Sequence, residues 1–422
     1  MNKQSEKLAK AIAYEAKKKK ERDEDKRPAF HVTPTTGWCN DPNGFSRFGE
    51  EYHLFYQYYP YENKWGPMHW GHCRTKDFIK WEELPCALAP DMEYDGQGCF
   101  SGTAVEHEGK HILMYTSVLE KDLEDGTHMV RQTQSIAIGD GENYEKVAEN
   151  PVITADCLPE GSSPVDFRDP KIWKEDGRFY ALIGSKAEDG SGQLALFTSE
   201  DALHWNYEKM IDQCKNRYGK MWECPDFFAL DGCQVLIVSP QFMRAEGLEF
   251  HNGNNSIYFT GDYEKETMTY TRGDARQVDY GMDFYAPQTL ETTDGRRVMI
   301  AWLQSWDNFM TPEDMDWTGL MTIPRELHVE DGSLVQFPKS LCLDFAEMCK
   351  EVISLFICDK TVASPCAEPF DCSCFLCHNH FSFSNLIISC WRHTKQGGMD
   401  SNHALTPLAL LNFFRPIIRA YI

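Results

Sequence analysis

The pattern of apolar and polar positions repeats along most of the chain. Five times, a polar turn with a glycine feeds a run rich in β-branched and aromatic residues. The segments are "FGEEYHLFYQ" (48–57), "HEGKHILMYTS" (107–117), "EDGRFYALIGS" (175–185), "LDGCQVLIVS" (230–239) and "TDGRRVMIAW" (293–302). Their turn glycines, Gly49, Gly109, Gly177, Gly232 and Gly295, stand 60, 68, 55 and 63 residues apart. Each segment predicts a β-hairpin turn leading into a buried strand. Further short strands lie between them, with similar endings in "TKDFIKW" (75–81) and "TSEDALHW" (198–205). Few helical periods interrupt residues 30–338. Repeats of several short strands fit radial repetition. The expected fold is therefore all-β, a five-bladed β-propeller with four strands to a blade. A long β-sandwich is the other arrangement such strands can take.

The two ends break the pattern. Residues 1–29 read as a charged N-terminal helix with Leu8, Ile12 and Ala16 on one stripe, followed by a lysine run. Beyond residue 338 the composition changes. Eight of the 16 cysteines fall in the last 84 residues, where seven basic and seven acidic residues cancel, so the net charge of −23 belongs to residues 1–338. That charge argues against nucleic acid and anionic membranes as partners, while leaving room for a small anion in a local basic pocket. No run is long and apolar enough for a transmembrane helix, and the start lacks the apolar core of a secretion signal. The cysteines are then expected as free thiols and the location as cytoplasmic. Oligomeric state is not legible.

The repeat also aligns chemistry. Asp41, Ser101 and Asp169 each lie eight residues before their turn glycine, Glu223 lies nine before its own, and "DFYAPQ" (283–288) fills the same zone of the fifth unit. If each hairpin starts with the innermost strand of a blade, these positions line one central channel. Asp41, Asp169 and Glu223 then meet. Such clustering raises at least one pKa and is costly unless used. Trp38, Trp65, Trp70, Trp81, Phe100, Trp222, Tyr285, Trp302 and Trp306 supply aromatic faces, and Asn40, Asn43 and Gln57 supply amides. Aromatic faces beside carboxylates and amides suit a polyhydroxylated ring. Two carboxylates flanking a glycosidic bond are the usual hydrolase arrangement.

"GWCNDPNGF" (37–45), "FRDPKIW" (167–173) and "WECPDFF" (222–228) resemble the three signature blocks of glycoside hydrolase family 32, the β-fructofuranosidases. "HLFYQYYP" (53–60), "WGHCRTKDFIKW" (70–81), "CFSGTAV" (99–105), "DFYAPQ" and "MTIPREL" (321–327) follow in the family's order. The resemblance covers about residues 30–338 and implies a five-bladed propeller followed by a β-sandwich. It implies Asp41 as nucleophile, Glu223 as acid/base and Asp169 as stabiliser of the oxocarbenium-like transition state, with retention through a fructosyl-enzyme. It implies Arg168 as the residue orienting the acids, and Asn40, Gln57, Trp65, Phe100, Ser101, Asp283 and Trp302 as substrate contacts. The implied substrates are sucrose, sucrose 6-phosphate or a fructo-oligosaccharide, with no metal or organic cofactor. A non-catalytic sugar-binding propeller is the rival reading, and it would be expected to lose an acid.

Two departures stand out. Cys39 replaces the family's usual Met, a swap between soft apolar side chains. After "LVQFPKS" (334–340) the expected sandwich is not recognisable, and residues 339–422 read as an atypical Cys-rich tail, expected to be poorly ordered. Within it Cys372, Cys374, Cys377, His378 and His380 are zinc-type ligands without a second ligand pair of standard spacing, so a segment unrelated to the natural domain, rather than a zinc site, is the expectation.

Overall fold

The computed structural model describes residues 5–337, apart from residues 25, 26, 29 and 309–314. The readings for residues 339–422, including the absent sandwich and the Cys/His set, lie outside the described residues.

Helix α1 (Glu6–Glu21) opens the chain, capped by Ser5, whose hydroxyl accepts from Leu8 N at 3.1 Å. It ends at Glu21, so the lysine run lies within the helix rather than after it. Blade 1 comprises β1 (Gly37–Phe48), β2 (Glu51–Tyr59), β3 (His69–Thr75) and β4 (Glu82–Leu88). Blade 2 comprises β5 (Gly98–His107), β6 (Lys110–Asp122), β7 (His128–Gly139) and β8 (Tyr144–Lys146). Blade 3 comprises β9 (Phe167–Glu175), β10 (Arg178–Lys186), β11 (Gly192–Ser199) and β12 (Asn206–Gln213). Blade 4 comprises β13 (Trp222–Leu230), β14 (Cys233–Pro240), β15 (Ile257–Glu264) and β16 (Thr269–Arg272), with β17 (Arg276–Gln277) also pairing with β15. Blade 5 comprises β18 (Tyr285–Glu291), β19 (Arg297–Trp302), β21 (Arg325–Glu330) and β22 (Ser333–Phe337). Between β19 and β21, β20 (Trp317–Thr318) pairs in parallel with Gly37 and Trp38 of β1.

The first strand of each blade is the innermost. β1, β5, β9, β13 and β18 touch in that order and β18 returns to β1, closing a ring. The β20–β1 pairing fastens blade 5 to blade 1, reinforced by Met321 N donating to Val32 O at 2.9 Å. In blades 2, 3 and 4 the first hairpin loop is a two-residue turn with both φ positive: Glu108-Gly109, Asp176-Gly177 and Asp231-Gly232. This is the turn whose twist matches flanking strands, and glycine fills its second position without strain. The two similar endings are also one structure. Thr75 Oγ1 accepts from Asp77 N and Phe78 N, and Asp77 Oδ1 accepts from Ile79 N and Lys80 N. Ser199 and Asp201 make the same four bonds two blades later.

The core is not one mass but a wedge between each pair of neighbouring blades. Leu182, Leu196, Trp222, Leu236 and Phe259 fill the blade 3–4 wedge, and Phe55, Trp70, Cys99, Leu113 and Tyr115 the blade 1–2 wedge. Both faces of a blade are therefore buried, which is why strands such as "ALIGS" and "LALFTS" read as nearly continuous apolar runs. Helix α1 packs on the outer side of blade 1 through Leu8, Ala11 and Ile12. Glu15 is buried on this face while Ala16 is exposed, so the predicted stripe is displaced by one residue. Cys86 N donates to Glu15 Oε2 at 3.0 Å, which gives the buried carboxyl its place.

Candidate active site

Every inner strand is irregular at the same level. The register slips between Cys39 and Pro42, Phe100 and Gly102, Arg168 and Lys171, Glu223 and Asp226, and Tyr285 and Gln288. Four of these slips contain or abut proline: Pro42, Pro170, Pro225 and Pro287. Proline cannot donate to the ladder, and bulges are where a strand re-aims a side chain. Asp169, Cys224 and Ala286 sit at the bulges with φ of 64°, 46° and 52°. The sequence "x-Pro" at the start of an inner strand thus turns the preceding side chains toward the axis.

Three carboxylates meet there. Asp41 Oδ2 accepts from Ser101 Oγ at 2.7 Å and its Oδ1 accepts from Asn40 Nδ2 at 3.0 Å. Asn40 Oδ1 in turn accepts from Trp38 Nε1 at 2.7 Å. Asp169 Oδ2 accepts from Cys224 N at 3.1 Å. The Cys224 thiol lies 3.6 Å from both Asp41 Oδ2 and Asp169 Oδ2, so one sulfur touches two of the acids. Glu223 Oε1 accepts from Arg168 Nε at 2.9 Å and lies 2.8 Å from its Nη2, a forked ion pair, while Glu223 Oε2 accepts from Tyr285 Oη at 2.6 Å. Arg168 is steered by Asp166, whose Oδ1 accepts from Nη1 at 2.9 Å and whose Oδ2 accepts from Lys186 Nζ at 2.6 Å.

The electrostatics follow from burial and crowding. Burial and then the Glu223 charge push Asp169 up to about 7, against the pull of Arg168. Asp41 is also raised by burial and by Glu223, while the hydroxyl of Ser101 opposes the rise. Burial would lower the Arg168 pKa, but Glu223, Asp169 and Asp166 outweigh it and keep the guanidinium charged. The Cys224 thiol is driven well above its ordinary value by burial between acids, so it stays protonated and serves as a donor. Two residues further along each inner strand from the level of Asp41, Ser101, Asp169, Cys224 and Ala286, a second buried polar ring contains Asn43, Thr103, Lys171, Asp226 and Gln288. Lys171 Nζ lies 2.8 Å from Asp226 Oδ1, and Asp226 Oδ2 accepts from Thr289 N at 2.6 Å.

The expected sugar contacts divide. Trp65 is 50% exposed and meets Phe100 edge-to-face at 6.0 Å, so both rings stand at the opening. Ser101 and Asn40 brace Asp41, and Gln57 Nε2 donates to Cys99 O at 3.0 Å. Asp283 accepts from Asn308 Nδ2 at 2.8 and 3.1 Å and has no bond to the three acids. Trp302 is corrected: it is 0% exposed, packed edge-on against Trp38 and Trp306, and offers no face to a ligand. Trp70 and Trp222 are likewise core. Two partners of the acids were not singled out as such from the sequence, Tyr285 and Cys224. The signal for both was present, since they fill in blades 5 and 4 the positions that Arg168 and Asp169 fill in blade 3.

Residues 31–338 match the model of the glycosyl hydrolases family 32 N-terminal domain. A sucrose-6-phosphate hydrolase of Zymomonas mobilis is 42% identical over 323 residues, covering 74% of this chain and 61% of the relative. A raffinose invertase of Escherichia coli is 38% identical over 312 residues, covering 74% of this chain and 64% of the relative. The chain therefore spans about three fifths of the length of these relatives. A solved structure of a Bombyx mori family 32 beta-fructofuranosidase variant in complex with sucrose superposes with a TM-score of 0.72 at 37% identity, covering 80% of this chain and 70% of that one. With the family model spanning most of its length and relatives of 38–42% identity covering 74% of it, the chain belongs to glycoside hydrolase family 32.

Proposed function

We propose that this protein hydrolyses terminal β-D-fructofuranosides, sucrose or sucrose 6-phosphate, by double displacement through a covalent fructosyl-enzyme. The carrying observation is the unequal bracing of the acids. Asp41 is held by two short donors, Ser101 and Asn40, which favour its ionised form and fix its direction as a nucleophile must be fixed. Glu223 lies between a guanidinium and a phenol, groups that stabilise its carboxylate after it has given its proton to the leaving oxygen. In the second half-reaction the same carboxylate takes a proton from water. Asp169, whose carboxyl is held above the ordinary range by burial and the Glu223 charge, would accept hydrogen bonds from sugar hydroxyls and, as the carboxylate, offset positive charge at the anomeric carbon. The relatives' names, which include sucrose-6-phosphate hydrolase and raffinose invertase, support the substrate class. All eight described cysteines are free, which supports a reducing compartment as the working location.

The test uses the purified full chain. Glucose or glucose 6-phosphate release from sucrose or its 6-phosphate is measured for wild type, Asp41→Asn and Glu223→Gln. Each variant is expected to lose on the order of 10³-fold or more in kcat. Turnover in methanol–water should give the β-methyl fructofuranoside, as retention requires. Wild-type rates from Asp41→Asn, or an inverted methyl product, would overturn the mechanism.

A further inference from the structure

Among the described residues, thirteen non-glycine residues hold positive φ. Glu108, Asp176, Asp231 and Asp331 lie in hairpin loops, and Phe78 and Ala202 follow the two hydroxyl-capped turns. Lys215 and Asn216 lie in a turn closed by Arg217 N donating to Cys214 O, and Met268 in one closed by its own N–H to Lys265 O. Asp169, Cys224 and Ala286 are the inner-strand bulges. Phe242 remains, at φ 58°. It is 71% exposed, and among the described residues its ring has no stacking or cation partner. A bulky residue in this region is strained, and such strain persists only where the surroundings impose it, most often at ligand sites.

The surroundings do impose it. Gln241 N donates to Met221 O at 2.9 Å and Gln241 O accepts from Lys220 N at 2.8 Å. On the other side Met243 is buried and exchanges backbone bonds with Gly253 at 2.7 and 3.1 Å. These bonds also fix where Phe242 stands. Glu223 pairs with Ser239, Trp222 with Pro240, and Met221 with Gln241, so Phe242 follows three rungs toward the channel mouth. At strand rise this is roughly 10 Å from the Glu223 level, comparable with two linked hexose rings. The loop is tied to the rest of the rim. Asn254 donates to Asp307 Oδ2 through its backbone N at 2.6 Å and its Nδ2 at 3.0 Å, beside Trp306 and the Asn308–Asp283 pair. Phe242 thus presents an exposed aromatic ring on a loop whose backbone is tied to the rim that carries Asp307.

We propose that Phe242 is a stacking platform for the second sugar ring of the leaving group, one glycosidic bond beyond the oxygen that Glu223 protonates. The assignment rests on the fructofuranosidase reading and adds a specificity for trisaccharides over sucrose. The experiment compares the full-length wild type with Phe242→Gly and Phe242→Ala on sucrose, raffinose and 1-kestose, with Tm measured for each. Loss of one aromatic contact, at tenfold per 1.4 kcal/mol, is expected to lower the trisaccharide-to-sucrose ratio of kcat/KM by roughly three- to tenfold, through KM. Glycine accepts the left-handed conformation, so the Tm of Phe242→Gly should be no lower than that of wild type. An unchanged ratio, or a fall in Tm with parallel loss on all three sugars, would overturn the platform. If the wild type hydrolyses none of the sugars, the fructofuranosidase reading fails by itself. Calorimetric binding then decides the platform: a raffinose-over-sucrose preference lost in Phe242→Gly supports it, and no preference refutes it.

Discussion

Ser101→Ala deletes the hydroxyl that donates to Asp41 Oδ2 at 2.7 Å. The bond is buried and its acceptor is an anion, so its loss is worth about 1.5–3 kcal/mol to the ionised form. At 1.36 kcal/mol per unit, the Asp41 pKa should rise by roughly one to two units. The bond favours the carboxylate, so removing it makes the proton harder to lose. Asp41 has to be ionised to attack, and the acid limb of kcat/KM should move to higher pH by that amount. The Asn40 bond to Oδ1 remains, so the plateau should fall much less than in Asp41→Asn. The assay is sucrose hydrolysis between about pH 4 and 8, since kcat/KM reports the free enzyme's titrations. An acid limb that stays in place while KM rises would refute the reasoning. It would mean that Ser101 serves the substrate directly and not Asp41.

Two further outcomes test the scaffold. Lys171→Met leaves Asp226 buried without the ammonium 2.8 Å away and should destabilise the fold by about 3–5 kcal/mol in denaturant melts, with partial recovery on adding Asp226→Asn. A single variant as stable as wild type would contradict a buried ion pair. Glu15 is held up to about 7 by burial, above its ordinary 4.5, so the folded chain binds the extra proton and stability falls as pH rises from about 4.5 to 7. Glu15→Gln keeps an acceptor for Cys86 N–H. It should match wild type near pH 4.5 and exceed it by up to about 3 kcal/mol at pH 8, measured as paired melts. A difference independent of pH would exclude this origin.

Much of the fold was legible because its signals are local. Asp176-Gly177 and Asp231-Gly232 make their turns from their own φ preferences, and the Thr75–Asp77 and Ser199–Asp201 caps close within a few residues. The ring order followed from the repeat. The site was less regular than the repeat suggested. The eight-residue offset in blade 4 falls on Cys224, and Glu223 is the residue before it. Glu223 therefore belongs to the level of Arg168 and Tyr285, which bond it, and Cys224 to the level of Asp41 and Asp169, which it bridges. Likewise Ala16 was expected inward by apolarity, whereas Glu15 went in because Cys86 N–H was there to receive it.

By itself the sequence determined the number of blades, their turns and the strand positions that hold the acids. Those follow from backbone preferences and alternation, which act over a few residues. The tertiary structure alone decided which neighbours each inward side chain meets. Trp302 and Trp65 are both aromatic and both were expected as sugar contacts, yet one is sealed under Trp38 and the other opens to solvent. Asp41, Asp169 and Glu223 are all acids preceding or near a proline, yet they differ in whether a hydroxyl, an amide N–H or a guanidinium stands opposite. Those partners come from other blades, and contact between residues 55 to 183 positions apart is set by ring closure and bulge geometry, not by any local preference.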